Sequence, residues 1–97
     1  MKVTITARHF TATEKLKEYS ETEVARLHKL DNSLQDCQIT YDYDHSNNKT
    51  VEVHVHLPGD VFHAKETSDD FYKSLDQAVQ KLEKQVLKHK DKLKRRH

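Results

Sequence analysis

The chain has one cysteine, one glycine and no long apolar run, and each scarcity removes a class of protein. Cys37 alone cannot build an intramolecular disulfide framework, which fits a reducing compartment. Gly59 alone excludes most phosphate-cradling loops, because those need several glycines for close backbone approach to the anion. Nothing near the N-terminus resembles the apolar core of a secretory signal, and no stretch approaches bilayer length. The expectation is a cytoplasmic protein with no membrane partner. Hydrophobic and charged residues each make up 34% of the chain. Apolar residues must therefore be well patterned to close the one modest core, in a single domain over residues 1–97, that this length allows.

Charge is abundant but unevenly placed. From Lys81 to His97 eight Lys/Arg face only Glu83 and Asp91, an excess of six positive charges. The first eighty residues hold nine basic residues against fourteen acidic ones, an excess of five negative charges. A net charge of +1 thus conceals a basic end on an acidic body. Such a distribution favours regional contact with a polyanion over uniform stickiness.

The pattern of apolar residues predicts six elements. Residues 2–8 alternate, with Val3, Ile5 and Ala7 on one face, as a half-buried strand does. Thr11-x-x-Glu14 offers a capping box, with Thr13 as an alternative N-cap, for a helix running to about Leu30. Period two returns over 36–44, where Cys37, Ile39, Tyr41 and Tyr43 face the core, and again over 49–57 with Val51, Val53, Val55 and Leu57. Pro58-Gly59-Asp60 turns the chain into a shorter strand over 61–67. Ser68-Asp69-Asp70 then caps a last helix and puts carboxylates near its positive end. Its buried stripe is Phe71, Tyr72, Leu75, Ala78, Val79, Leu82, Val86 and Leu93, and its last two turns are expected to project beyond the body. The fold class is α+β: a βαβββα two-layer sandwich with a four-stranded mixed sheet and both helices on one face. Its first two strands are expected to be parallel neighbours.

On the last helix Lys81, Lys84, Lys88, Lys92 and Arg95 recur at three- and four-residue steps, so they share a face, with Lys90 and Lys94 on a second line. A merely solubilising face brings interspersed Glu at i−4 to pair with Lys, and here only Glu83 and Asp91 are available. The helix end over about 81–97 therefore reads as a polyanion-binding surface. No helix-turn-helix, zinc ligand set or basic zipper is present to read a DNA groove, so folded RNA is the better target. His54 and His56 share a strand face and His63 is expected on the neighbouring strand. Three imidazoles so placed can bind Zn²⁺ or Cu²⁺, but an open face also simply tolerates histidine, and no paired ligand spacing accompanies them. No metal or other cofactor is assigned. Asp36, Asp42 and Glu52 read as solvated carboxylates and Cys37 as a small buried hydrophobe, so no catalysis is expected.

The residues also carry a resemblance. Asp69-Asp70-Phe71-Tyr72-Lys73-Ser74-Leu75-Asp76-Gln77-Ala78, followed by Lys81-Leu82, Gln85-Val86 and Lys88-His89-Lys90-Asp91-Lys92, resembles the last helix of bacterial ribosome hibernation promoting factors. Ile5-Thr6-Ala7-Arg8-His9-Phe10, Thr13-Glu14-x-Leu16 and His63-Ala64 are similar to other parts of that family, whose likeness spans essentially the whole chain. The resemblance implies the same βαβββα fold. It also implies binding to the small ribosomal subunit and the intact ribosome, in the mRNA and tRNA channel at the decoding (A) and peptidyl (P) sites. Occupation there silences translation in stationary or stressed cells without any reaction. Carried onto this chain, it assigns contacts with ribosomal RNA phosphates to Arg8, Arg26, Lys29, Lys81, Lys84, Lys88, Lys90, Lys92, Lys94 and Arg95. The first helix departs from many relatives, carrying Glu21 and Glu23 where they have lysines. Ending at His97, the chain looks like a short member, monomeric off the ribosome and needing a separate factor to pair ribosomes. The alternatives are a general structured-RNA-binding module or chaperone, and metal storage or sensing by His54, His56 and His63.

Overall fold

Alternation and helical spacing produce the six elements in the expected βαβββα order. The strands are β1 (Lys2–Ala7), β2 (Asp36–Tyr43), β3 (Lys49–Leu57) and β4 (Asp60–Ser68), and the helices are α1 (Glu14–Leu30) and α2 (Phe71–Lys94). The computed structural model describes the backbone of residues 1–94 and the side chains of residues 1–92. The stripe position Leu93 and the phosphate-binding assignments Lys94 (its side chain) and Arg95 lie outside those described residues.

The strands form one mixed sheet in the order β1-β2-β3-β4, with β1 parallel to β2 and the other two pairs antiparallel. Register aligns the apolar positions into rows across the sheet: Val3, Cys37, Val55 and Phe62, then Ile5, Ile39, Val53 and Ala64. Both helices cover that face. Leu16, Val24 and Leu27 of α1 and Leu75, Val79, Leu82 and Val86 of α2 are buried on it. Each such side chain contributes roughly 1.5–3 kcal/mol as an upper estimate of the transfer term. The opposite face, made of Thr4, Gln38, His54, His63 and their row neighbours, carries no helix.

The helix starts resolve two ambiguities. Thr13 is the N-cap of α1: its backbone is extended (φ −69°, ψ 156°) and its hydroxyl oxygen accepts from the Leu16 amide at 3.1 Å. The capping box from Thr11 is not formed, because the helix begins at Glu14, whose carboxylate instead lies 3.5 Å from Lys17 Nζ. Asp70 precedes the first turn of α2 and accepts from the Tyr72 amide at 2.9 Å, so its carboxylate caps the helix from outside. Pro58 and Gly59 alone connect β3 to β4, which begins one residue earlier than expected. Gly59 takes the left-handed φ of +78° that this tight hairpin needs.

One expectation fails. Tyr43 is 41% exposed, because it ends β2 beside the turn to β3, beyond the helices' cover. The expected projection of α2 begins only past Lys90: Asp91 and Lys92 are exposed, and the side chains further on lie outside the described residues. The His89 ring meets Phe62 edge-on at 5.5 Å, and the Lys90 ammonium donates to the Leu30 carbonyl at 2.5 Å.

Candidate nucleic-acid interface

Because the buried stripe of α2 faces the sheet, the lysines between its stripe positions must face out. Lys84, Lys88 and Lys92 are exposed, and no carboxylate among the described residues pairs with them. Lys81 shares their side of the helix but forms an ion pair with Glu66 of β4. Three contacts show that α1 and α2 run in the same direction: Tyr19 to Asp76, Arg26 to Glu83, and Leu30 to Lys90. Lys90 of α2 therefore stands beside the C-terminal end of α1, where the helix dipole is negative. Basic side chains answer that charge. His28 and Lys29 occupy the last turn of α1, and Lys90 crosses over to its final carbonyl.

Arg26 is divided between two acids. One guanidinium nitrogen lies 3.0 Å from Glu23 and another 3.3 Å from Glu83, which ties the helices together. Lys29 is exposed and borders a groove with Met1, Val3, Glu21, Ala25 and His28. Asp31 sits inside this basic end. Burial alone would raise its pKa, but bonds from the Ser33 hydroxyl and amide, with the charges of Lys90 and His89, hold its carboxyl below the ordinary range.

The structure therefore brings Arg26, Lys29, Lys81, Lys84, Lys88, Lys90 and Lys92 into one helical layer. It does not bring Arg8 there. Arg8 follows β1 on the side of the sheet that the helices leave open, bordering a depression with Asp42, Thr50, Glu52 and Lys65.

Pairing organises that open face. His9 Nδ1 is 3.0 Å from Asp42, His56 Nδ1 is 2.6 Å from Asp36, and His63 Nε2 is 3.0 Å from Glu52. His9 adopts a left-handed φ of 71°, and its carbonyl accepts from the Tyr43 hydroxyl at 2.9 Å. The His9 bond is the leading influence that holds Asp42 below the ordinary carboxylate range. The bond from His63 is the leading influence that does the same for Glu52. The expected trio of His54, His56 and His63 is thus rearranged. His56 is engaged by Asp36, and Glu52 takes its place beside His54 and His63 as a set of possible metal donors.

Sequence reasoning missed Tyr43 as an exposed aromatic beside Arg8 and His9. The available signal was its position, next to the His45–Asn48 turn cluster at the strand's end. It also missed Glu66 as the partner of Lys81 and Glu83 as the second partner of Arg26, both of which come from other elements.

Comparison with known proteins adds an independent line. The profile of the family described as Sigma 54 modulation protein / S30EA ribosomal protein matches residues 3–94. A ribosome hibernation promotion factor from Deinococcus radiodurans is 32% identical over 90 residues, covering 89% of this chain. The chain spans about half of that relative, 47% of its length. The ribosome hibernation promoting factor of Escherichia coli K12 is 29% identical over 94 residues, which are 97% of this chain and 98% of that one. Among solved structures, a ribosomal subunit interface protein from Coxiella burnetii superposes with a TM-score of 0.87 at 28% identity. That match covers 94% of this chain and 99% of the other. The N-terminal domain of Protein Y from Thermus thermophilus superposes with a TM-score of 0.80 at 26% identity, covering 89% and 96%.

Proposed function

The chain belongs to the Sigma 54 modulation protein / S30EA ribosomal protein family, and on that footing we propose that it is a ribosome hibernation factor. It binds the small ribosomal subunit in the mRNA and tRNA channel, at the decoding and peptidyl sites, and inhibits translation by excluding both RNAs. The observation that carries this reading is the match to the Escherichia coli hibernation promoting factor over nearly the full length of both chains. The outward lysines of α2 support it physically, since a row of ammonium groups that no carboxylate among the described residues pairs with suits the phosphate spacing of folded RNA.

Occlusion requires positioning and charge but no bond making or breaking, so the protein acts as a binding factor. Lys84, Lys88 and Lys92 meet ribosomal RNA phosphates. Lys81 and Arg26 contribute less, because Glu66, Glu23 and Glu83 already hold them. Among the described residues no helix is long and apolar enough to cross a membrane. The ribosomal partner places the protein in the cytoplasm in this reading.

Co-sedimentation with vacant bacterial ribosomes tests it, with and without excess tRNA and mRNA. Stoichiometric comigration with the small subunit and the intact ribosome, lost on adding both competitors, is the expected result. Comigration that ignores the competitors, or that unrelated structured RNA matches at equal salt, would replace this reading with a general RNA-binding module.

A further inference from the structure

The open sheet face carries a donor set that ribosome binding through α2 leaves unused. Alternation puts Glu52 and His54 on the same side of β3. The short Pro58-Gly59 hairpin fixes the register, so His63 stands directly opposite His54 and Lys65 opposite Glu52. Three donors therefore come from two adjacent strands whose backbones are held by the sheet ladder. Their ligand atoms all lie within 4.8 Å of one another. The His54 and His63 rings stack with centroids 4.5 Å apart and 30° between their planes, and His63 Nε2 is 3.0 Å from a Glu52 oxygen.

We propose that Glu52, His54 and His63 form a binding site for a divalent transition-metal ion of the zinc type. Two imidazoles and one carboxylate are a donor set that zinc accepts, with bonds of about 2.0–2.2 Å, whereas calcium and magnesium demand oxygen shells. A tetrahedral ion at those bond lengths needs donors about 3.4 Å apart. From the present spread of up to 4.8 Å, binding requires the side chains to rotate inward and the His63–Glu52 hydrogen bond to give way to the ion. The fourth position faces solvent and takes water. Glu52 supplies the one carboxylate of the donor set, and with it the negative charge that favours a cation. Lys65 opposes the cation, so binding is weaker than at a closed structural site. His56 is outside the set because Asp36 holds its Nδ1 at 2.6 Å.

The test is calorimetric titration of the full chain, free of any affinity tag, with zinc chloride at neutral pH. It is run alongside His54→Ala, His63→Ala, Glu52→Gln and His56→Ala. All four positions lie on the open face, and far-UV circular dichroism verifies that each variant keeps the fold. The wild type is expected to bind one equivalent. The first three variants should each weaken binding at least about tenfold, as loss of a ligand requires, while His56→Ala leaves it unchanged. As a second readout, zinc should shift the proton resonances of His54 and His63 but not of His56. Absence of saturable zinc uptake by the wild type would overturn the proposal. So would a His63→Ala variant that binds as tightly, or a His56→Ala variant that fails to bind.

Discussion

Ser20 and Tyr41 share a hydrogen bond inside the core, and the two partners are not equivalent. Ser20 gives its own proton to the Leu16 carbonyl at 2.6 Å, so the Tyr41 phenol must be the donor between them. Tyr41→Phe removes one bond and leaves Ser20 satisfied, which should cost about 1 kcal/mol. Ser20→Ala strands a buried phenol and should cost more, roughly 1–3 kcal/mol. Urea unfolding compares the two midpoints at unchanged slope, and a costlier Tyr41→Phe would refute this donor order. Titration reports the same burial. Desolvation, aided by the negative charge of Asp36, pushes the Cys37 thiol up from 9.0 to about 12. Desolvation likewise pushes Tyr41 from 10.0 to about 12. The fold therefore keeps protons that the unfolded chain releases. Stability from these groups is complete below about pH 9 and falls as pH rises toward 12, by at most about 1.4 kcal/mol per pH unit for each group. Thermal melts between pH 8 and 11 should show a falling midpoint; a rising one would contradict the burial of both groups.

The start of α1 offers a clean comparison at the level of the element. Thr13→Ala removes the hydroxyl that accepts from the Leu16 amide and should cost about 1 kcal/mol, whereas Thr11→Ala should cost far less. Equal effects on the unfolding midpoint would restore the Thr11 capping box. On α2, reversing Lys84, Lys88 and Lys92 to Glu should abolish ribosome co-sedimentation without loss of helical signal, since all three side chains point away from the buried stripe. Single Lys81→Ala and Arg26→Ala changes should weaken binding less than Lys88→Ala, their charges being held by carboxylates already. A folded triple variant that still binds would remove α2 from the interface. These elements also show what the sequence made legible. Strand alternation was readable because helices cover one sheet face only, so Val51, Val53 and Val55 and their polar neighbours sort without ambiguity. The basic line of α2 was readable for the same reason. Thr13 and Thr11 compete within one local pattern, and only the packed position of the first turn decides between them. Lys90 read as one more phosphate contact, but its partner is a carbonyl sixty residues away in sequence, on another helix. His56 with Asp36 is likewise a cross-strand pair, visible only once the β2–β3 register is known.

Charge segregation has its consequence at the scale of the whole molecule. The open sheet face pairs His9, His56 and His63 with carboxylates, and the first eighty residues carry net negative charge. The parallel helices instead deliver Lys29, Lys84, Lys88 and Lys92 toward one end, where Lys90 already satisfies a helix carbonyl. A polyanion is therefore drawn to that end and repelled by the acidic body, which orients the encounter as well as strengthening it. If roughly five phosphates are engaged, displaced counterions give log Kd a slope of about 4 against log salt, so a fourfold salt increase weakens binding on the order of a hundredfold. Neutralising Lys84, Lys88 and Lys92 to Gln should lower that slope by about 2–3, because each lost phosphate contact removes a little under one counterion. Affinity for ribosomes measured across a salt series checks both numbers. A slope that survives the three substitutions would mean that the salt-sensitive contacts lie elsewhere, with Arg8 on the open sheet face as the next surface to test.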